Sequence, residues 1–411
     1  MIIAEFYDKY SPIRNVVSTI ANKPERLILI GDGPIIHRQL PALRGFLVAT
    51  GNSKTEIEVR PAPEHDLPSI LQTIEAVIHD YPDCSFDLTG GDELFFTAAG
   101  ILYERHREAD LRMHQYNIRT GVVYDCDHDG IAPSDQIPPV TVSQFILLHG
   151  GKVQSAEDET PLMAEWKKQG CLESDVEAMW RISAADPSLW NSQLALFNQL
   201  LHLNTANDPL VVNLPRSALA HQLQKPGRSF QPEKVLLPMY HAGLLTEYTD
   251  HEENFRIRCK NKQVLHCLEK AGTVLELKVY LSALQLKNED GGPLFPDVST
   301  GVFIDWDGRH DPYGPDTENE IDVLLMQGLV PVFISCKNGG VTTEELYKLD
   351  TVARRFGGDY AKKYLIGADL EQHLGSTWRA FHQRASDMDI TILPDAASWS
   401  DVRFAEVLSK L

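Results

Sequence analysis

Short apolar runs alternate with segments of helical periodicity along the first 125 residues of the chain. The apolar runs predict five strands, at residues 2–8, 26–30, 56–60, 85–88 and 121–125. Strand alternating with helix is the pattern of a mostly parallel, doubly wound sheet. Ligands bind beyond the carboxyl ends of the strands in such sheets. We therefore predict an α/β ligand-binding domain over residues 1–150.

The pattern changes to helices and a hairpin over residues 151–262. Three amphipathic helices are predicted, at residues 194–203, 216–223 and 232–242. Two short alternating strands follow, and helices followed by a hairpin resemble a winged helix. Its basic side chains are Arg216, Lys225, Arg228 and Lys234. Such a unit either contacts nucleic acid or serves as an interdomain spacer or dimerisation module, and both readings stay open.

Residues 263–411 form a third predicted region, which is again α/β. One long helix is predicted over residues 264–286, followed by strands at 302–306, 321–325 and 330–335 and a helix at 343–356. The stretch 319–338, NEIDVLLMQGLVPVFISCKN, predicts a hairpin that brings Asp322 and Lys337 together on one side. Burying these charges is costly unless they are paired or used, so we regard them as functional.

The residue types suit phosphodiester hydrolysis, which needs a metal held by carboxylates and positive charge near the developing anion. Asp322, with Glu276 on the preceding helix, would hold Mn²⁺ or Mg²⁺, which prefer oxygen ligands. Lys337 would orient the water and offset charge on the phosphate. The pattern resembles the PD-(D/E)xK restriction-endonuclease-like nucleases, in which a helix Glu and a hairpin Asp precede an acidic-x-Lys triplet.

The triplet departs from that family, because Ser335 stands where the family has an acidic residue. Glu344, Glu345 and Glu320 are candidates for the missing carboxylate. The predicted catalytic residues are Glu276, Asp322, Ser335, Lys337 and Glu345. The predicted metal ligands are Glu276, Asp322 and Cys336. A basic cluster near the proposed site either contacts the substrate backbone or forms a solvated helix face, and it comprises Arg354, Arg355, Lys362 and Lys363.

A second motif, DLTGGDE, lies at a predicted strand-to-helix turn over residues 87–93. Gly90 and Gly91 allow a close backbone approach, Thr89 offers a hydroxyl, and a helix N-terminus favours a phosphate. A tight turn with a favourable helix cap would explain the same residues without a ligand.

Taken with the segment YDKYSP at residues 7–12, the LTGG turn resembles the CARF domain of CRISPR-associated proteins. The NEIDV and ISCKNG segments resemble the nuclease domain of the CARF-linked, Card/Can-type nucleases. The resemblance implies a homodimer that binds cyclic tetra-adenylate across its axis and then cleaves DNA or RNA in type III CRISPR immunity. By position, the ligand would contact Tyr7, Asp8, Lys9, Tyr10, Ser11, Thr89, Gly90, Gly91, Asp92 and Glu93. Asp92 and Glu93 stand where the family often has Thr-Lys.

The composition limits the remaining possibilities. A formal net charge of −20 argues against a protein that coats nucleic acid by charge alone. No apolar run reaches the roughly 18–20 residues of a membrane helix, and the chain start does not resemble a signal peptide. The six cysteines form no C-x-x-C pair, which favours reduced thiols. We expect a cytoplasmic nuclease without a membrane partner; the alternative is a ligand-responsive nucleic-acid-binding regulator with an inactive nuclease fold.

Overall fold

The computed structural model describes residues 1–107, 111–126, 130–132, 137–223, 229–308 and 318–411. The predicted basic residues Lys225 and Arg228 lie outside these ranges. Three sheets organise the described part of the chain, with seven, three and six strands. This mixed α/β architecture agrees with the predicted fold class of a Rossmann-like domain, a winged-helix-like region and a restriction-endonuclease-like domain.

The N-terminal sheet has the order β3-β2-β1-β4-β5-β6-β7. Its strands and helices are β1 (Ile2–Phe6), α1 (Val17–Asn22), β2 (Arg26–Gly31), α2 (Gly33–Ala49), β3 (Glu56–Pro61), α3 (Leu67–Asp80), β4 (Ser85–Asp87), α4 (Glu93–Arg105), β5 (Arg112–Tyr116), β6 (Val123–Asp125), β7 (Gly130–Ala132) and α5 (Val142–Leu148). The first five strands in the sheet are parallel, and β6 and β7 run antiparallel. Alternate residues of β1 and β2 pack against α1 and α2 on one face and against α3 and α4 on the other. The domain is therefore doubly wound, as predicted.

The sequence prediction missed β5, whose residues Arg112–Tyr116 are mostly polar. Only Met113 and Tyr116 of this strand are buried, so its apolar signal is too weak to be recognised. The strand predicted at residues 121–125 corresponds to β6, which pairs antiparallel with β5.

The middle region has the element order of a winged helix. Its elements are β8 (Lys152–Ser155), α6 (Pro161–Gln169), α7 (Leu172–Ala185), α8 (Pro187–Leu200), β9 (Val211–Pro215), α9 (Arg216–Leu223), α10 (Pro232–His241), β10 (Leu245–Asp250) and β11 (Asn254–Cys259). Strands β10, β11 and β9 form a small antiparallel sheet. Arg216 pairs with Asp250, and Arg258 pairs with Glu247. These internal ion pairs reduce the positive charge available to a nucleic acid.

The C-terminal sheet has the order β16-β15-β14-β13-β12-β8, so β8 from the middle region forms one of its edges. The remaining elements are α11 (Lys262–Glu269), α12 (Thr273–Gln285), β12 (Asp297–Asp305), β13 (Glu318–Gln327), β14 (Val330–Lys337), α13 (Thr343–Gly357), β15 (Lys362–Gly367), α14 (Leu370–Leu374), α15 (Trp378–Asp387), β16 (Ile390–Leu393) and α16 (Asp401–Leu408). None of the helices in the described ranges is both long and apolar enough to cross a membrane.

The single long helix predicted over residues 264–286 is wrong, because the structure has two helices there, α11 and α12. The break leaves the carbonyl of Ala271 outside either helix, where it accepts a hydrogen bond of 3.1 Å from the indole of Trp190. Gly272 follows, and glycine is a poor helix former. The helix is therefore interrupted at a point where its backbone bonds to a distant side chain, and the spacing of apolar residues in the sequence does not reveal this break.

Candidate nuclease and ligand sites

The hairpin of β13 and β14 brings the predicted catalytic residues together around one carboxylate oxygen. Oδ2 of Asp322 accepts hydrogen bonds from the Ser335 hydroxyl at 3.1 Å and from the backbone N–H of Cys336 at 2.6 Å. Nζ of Lys337 lies 3.3 Å from the same oxygen. The predicted juxtaposition of Asp322 and Lys337 is thus present, and Ser335 holds the carboxylate instead of adding a second one.

Glu345, in the first turn of α13, completes this arrangement. Its Oε2 lies 3.3 Å from Nζ of Lys337, and its Oε1 lies 3.2 Å from Nζ of Lys348. Burial acts to lower the pKa of Lys337, but the ion pairs with Asp322 and Glu345 outweigh it and raise that pKa. Lys337 is therefore a cation at neutral pH, suited to stabilise negative charge and not to accept a proton.

These side chains line a cavity of about 240 Å³. Its polar lining residues are Asn319, Glu320, Asp322, Ser335, Lys337, Glu345 and Lys348. The cavity contains both signs of charge, with the ammonium of Lys337 between two carboxylates. A phosphate group could approach the lysines here, while the carboxylates could orient a water molecule.

Glu276 on α12 is partly buried, and it lies close enough to Asp322 for the two carboxylates to repel each other. Burial, and then repulsion from Asp322, Glu157 and Glu320, raises the pKa of Glu276 to about 8. Burial also raises the pKa of Glu320, to which Asp322 and Glu157 add. The sequence therefore identified a helix glutamate that interacts electrostatically with the hairpin, although the structure gives no direct hydrogen bond between Glu276 and Asp322.

Glu157 belongs to this acidic group, and the sequence analysis missed it. The segment after β8 attaches to β12 through the backbone N–H of Thr300, which donates to Asp158 at 2.9 Å. Next to it, Gly301 has φ +56°, and a Cβ there would lie 2.9 Å from Cβ of Glu157. Gly301 lies opposite Asp322 in the strand register. The acidic run SAEDETP at residues 155–161 has the character of a connecting segment, and the predicted strand at residues 302–306 begins after Gly301, so nothing in the sequence indicated that Glu157 lies near Asp322.

The described residues contain no group of three or more His, Cys, Asp or Glu side chains placed to hold a metal ion. The oxygen-rich donor set around Asp322 suits Mg²⁺ or Mn²⁺ in type, and the mutual repulsion of its carboxylates would be relieved by a cation. The Cys336 side chain packs in the core, and burial raises the pKa of its thiol well above the usual value. A protonated thiol is a poor ligand for these hard ions, which favours the carboxylates.

The basic cluster predicted near the site lies elsewhere, so that prediction is wrong. Lys362 opens β15 opposite Val332, whereas Lys337 pairs with Gly367 at the other end of the strand. Five residues of strand separate the two ends by ~16 Å. Lys363 is buried and pairs with Asp350 at 2.7 Å, and Arg354 pairs with the same carboxylate. The positions of these charges in the sequence could not show that the cations form contacts within the protein.

The ligand-site residues predicted in the N-terminal domain meet at one edge of its sheet. Strands β1 and β4 are parallel neighbours, so the loops after Phe6 and Asp87 lie side by side. A Cβ at Gly90 would lie 2.4 Å from the carbonyl oxygen of Phe6, which shows how closely the two loops approach. Gly91 has φ +94°, a conformation that favours glycine. Both glycines therefore have a steric role in joining the loops.

Asp8 organises the loop that follows β1. Its Oδ1 accepts hydrogen bonds from the backbone N–H groups of Tyr10 at 2.8 Å and Ser11 at 2.9 Å. Its Oδ2 lies 2.9 Å from Nη1 of Arg14. Lys9 forms an ion pair with Glu64, and the hydroxyl of the buried Tyr7 donates a hydrogen bond to Gln39. Among the predicted residues of this loop, Tyr10 is the exposed one, and 75% of its surface is accessible.

The loop that follows β4 has equally defined contacts. The Thr89 hydroxyl donates to Asp87 and accepts from the backbone N–H of Tyr116 at 2.8 Å. The Asp92 carboxylate caps α4 by accepting from the backbone N–H of Leu94 at 3.0 Å. Glu93 is exposed in the first turn of that helix. The unusual acid at position 92 thus has a structural partner in the helix N-terminus.

We predict that Gly91→Ala destabilises the protein, because the new Cβ would lie 2.6 Å from Cβ of Phe6 at a positive φ. The expected loss in the free energy of unfolding is ~1–3 kcal/mol, measured by chemical denaturation. Gly100→Ala is the control, since this α4 glycine has nothing within 4 Å of its added Cβ. An unchanged or higher stability is expected for the control, and a Gly91→Ala protein as stable as wild type would contradict the steric role.

Comparison with solved structures finds the same fold over nearly the whole chain. Protein VC1899 from Vibrio cholerae is 18% identical, with a TM-score of 0.73, and the match covers 100% of this chain and 97% of that chain. Can2 from Sulfobacillus thermosulfidooxidans, in complex with cyclic tetra-adenylate, is 16% identical, with a TM-score of 0.66 and coverage of 99% and 97%. No family model and no curated protein matches the chain. The resemblance to the Card/Can-type proteins is confirmed at the level of the fold, which this chain shares with Can2 and with VC1899 over nearly its whole length.

Proposed function

We propose that this protein is a nuclease of type III CRISPR defence, activated by a cyclic oligoadenylate and cleaving DNA or RNA. The observation that carries the proposal is the ion-paired Lys337, held 3.3 Å from both Asp322 and Glu345 in a cavity at the end of a hairpin. Support for the activator comes from the fold shared with Can2, whose structure contains cyclic tetra-adenylate. The N-terminal loops after β1 and β4 are the proposed activator site.

The chain's own residues account for much of the chemistry. Lys337, kept protonated by its ion pairs, would offset the charge that develops on the phosphate in the transition state. Asp322 is fixed by three donors on β14, so its second oxygen would be free to orient a water molecule. Glu345 would keep the ammonium in place while substrate enters. Removing one such preorganised charge typically costs ~10²–10³ in rate.

The requirement for Mn²⁺ or Mg²⁺ is part of the proposal. Asp322 and Glu276 are the residues that would hold the ion, with Glu157 or Glu320 able to contribute the carboxylate absent at position 335. When bound, a divalent ion would polarise the phosphate and lower the pKa of an attacking water. The homodimer and the choice of cyclic tetra-adenylate among cyclic oligoadenylates are likewise proposed.

A second candidate is a ligand-responsive regulator that binds nucleic acid and does not cleave it. Two observations favour it: Ser335 replaces the acidic member of the nuclease triplet, and the middle region has a winged-helix arrangement. This candidate predicts activator-dependent binding of DNA without hydrolysis.

Cleavage assays distinguish the two candidates. The full chain would be incubated with Mn²⁺ or Mg²⁺ and either plasmid DNA or single-stranded RNA, with and without cyclic tetra-adenylate. We expect cleavage that depends on both the metal and the activator, and that chelation by EDTA abolishes. Intact substrates under all of these conditions, with protein shown to be folded and to bind the activator, would contradict the nuclease and favour the regulator.

A further inference from the structure

The N-terminal and C-terminal domains contact each other through an aromatic ring between two arginines. Tyr360 follows α13, and its hydroxyl accepts a hydrogen bond of 2.8 Å from Nε of Arg14. The guanidinium carbons of Arg14 and Arg119 lie 5.2 Å and 5.5 Å from the centre of the same ring. Arg119 also donates to the carbonyl oxygen of Asp359 at 3.1 Å. We call Arg14, Arg119 and Tyr360 the junction.

On the N-terminal side, the junction is continuous with the proposed activator loop. The guanidinium that contacts Tyr360 also pairs with Asp8 at 2.9 Å. Asp8 in turn holds the backbone of Tyr10 and Ser11. Gly358 lies against the same loop, because a Cβ there would be 3.2 Å from the carbonyl oxygen of Tyr10. A ligand that moves this loop must therefore change the surroundings of Tyr360.

On the C-terminal side, the junction is continuous with the catalytic helix. The short helix Gly358–Tyr360 follows directly after α13, the 15-residue helix Thr343–Gly357. Glu345 lies in the first turn of α13 and pairs with Lys337 at 3.3 Å. A helix of this length spans ~22 Å and moves as a unit. Displacing Tyr360 would thus shift the carboxylate that positions Lys337.

The packing at the junction leaves room for movement. A cavity of about 440 Å³ lies beside it, lined from the N-terminal domain by Arg14, Thr89 and Arg119 and from the C-terminal domain by Asp359 and Tyr360. Polar contacts around a cavity can rearrange at lower cost than a close-packed apolar interface, in which any displacement opens voids. The junction therefore combines a direct connection to both sites with space to adopt a second arrangement.

We infer that Tyr360 is a positioning residue that couples the activator loop to the catalytic helix, an inference that rests on the proposed function. Activator binding at residues 7–11 repositions Arg14, Tyr360 follows, and α13 sets the distance between Glu345 and Lys337. Coupling of this kind is a free-energy difference between two arrangements of the same contacts. Tyr360 touches neither substrate nor activator in this scheme.

The test compares three variants of the full chain. Tyr360→Ala removes the ring and the hydroxyl, and Tyr360→Phe removes only the hydroxyl that accepts from Arg14. The matched control is Tyr347→Phe. Tyr347 lies on α13, and its hydroxyl accepts a hydrogen bond from Arg384 of α15 and not from the N-terminal domain. Cleavage rates would be measured with and without cyclic tetra-adenylate. The affinity of each variant for cyclic tetra-adenylate and the hydrogen exchange of residues 343–357 would be measured in parallel.

We expect Tyr360→Ala to lower the stimulation by activator by ~5–150-fold, the usual range of coupling between sites, with basal cleavage unchanged. Tyr360→Phe should lie between this variant and wild type, and Tyr347→Phe should behave as wild type. If the stimulation of Tyr360→Ala stays within about twofold of the wild-type stimulation, the inference is overturned, because the coupling expected between two sites is at least about fivefold.

Failure of the proposed function gives a different result. If wild type binds the activator but cleaves nothing, the nuclease proposal fails, and hydrogen exchange decides the coupling. An activator-induced change in α13 that disappears in Tyr360→Ala supports the junction, whereas the same change in both proteins overturns it. A wild-type chain that binds no cyclic oligoadenylate overturns both proposals.

Discussion

Lys337→Gln is expected to lower activator-stimulated cleavage by ~10²–10³, the loss seen when one preorganised group for the transition-state charge is removed. Glutamine keeps much of the side-chain length and can still donate a hydrogen bond to Asp322. It lacks the positive charge that Asp322 and Glu345 hold in the cavity. The effect should appear in the single-turnover rate at saturating substrate, because the charge acts on the transition state more than on substrate binding.

The control must separate catalysis from the loss of an ion-paired lysine. Lys278 on α12 also bridges two carboxylates, Glu177 at 2.7 Å and Asp401 at 2.5 Å, and its side chain is 9% exposed. Lys278→Gln should therefore lower stability while leaving cleavage near wild type at temperatures where the protein is folded. A Lys337→Gln protein that cleaves as fast as Lys278→Gln would remove the basis for the proposed nuclease.

Glu5→Gln is expected to stabilise the protein at pH 8 by at least ~1.4 kcal/mol, the free energy of a tenfold change in proton binding, because glutamine has neither a proton to retain nor a charge to bury. Glu5 on β1 and Asp87 on β4 are paired neighbours in the parallel sheet, and both are fully buried. At normal hydrogen-bond geometry, neither oxygen of Glu5 nor Oδ2 of Asp87 has a partner among the described residues. The nearby Thr19 hydroxyl offsets only part of this cost.

The two carboxyl groups also make stability depend on pH in a defined direction. Burial, with repulsion from Asp87, raises the pKa of Glu5 well above its usual value, and burial raises the pKa of Asp87 to about 7. The native state therefore retains protons that the unfolded chain releases near pH 4 to 4.5, about the usual values for Asp and Glu. These two carboxyl groups therefore contribute a loss of stability as the pH rises from there through about 7. Burial lowers the pKa of His114 and of His149 to about 4, and below about pH 6.5 these two groups change the stability in the opposite direction. The effect of the carboxyl pair is therefore measured as the difference between a variant and wild type.

Denaturation measured from pH 5 to pH 8 would test this expectation. Across this range, the stability of Glu5→Gln relative to wild type should increase with pH, because the variant lacks one of the two carboxyl groups that oppose folding at higher pH. Glu93→Gln is the control, because Glu93 is exposed and its replacement should leave the slope unchanged. Identical slopes for wild type and Glu5→Gln would show that the buried pair does not titrate in the native state.

The sequence predicted those parts of the site that depend on local pairing. Asp322 and Lys337 lie on adjacent strands of one hairpin, so alternation and a short turn are enough to bring them together. Glu345 was found because it follows the hairpin directly and begins a helix. The loops after β1 and β4 were found because strand ends in a doubly wound sheet share one edge.

The parts that the sequence did not predict depend on distant contacts. Glu157 precedes Asp322 by more than 160 residues, and its position follows from a segment attached to Thr300 and Gly301. The break before α12 involves a hydrogen bond from Trp190, which no helical periodicity encodes. The cations at 362 and 363 looked available for substrate because their internal partners lie elsewhere in the sequence.

Strand β8 has a consequence for how the middle region can act. It pairs directly with β12 in the C-terminal sheet, although residues 156–296 separate the two strands in the sequence. The winged-helix unit therefore lies within a segment that begins and ends in this sheet, with α11 and α12 between the unit and β12. It cannot swing as a tethered module, and it could not be deleted or exchanged without rejoining one sheet. Any force that a bound polymer exerts on the winged-helix unit would reach the C-terminal sheet through the segment after β8 on one side and through α11 and α12 on the other.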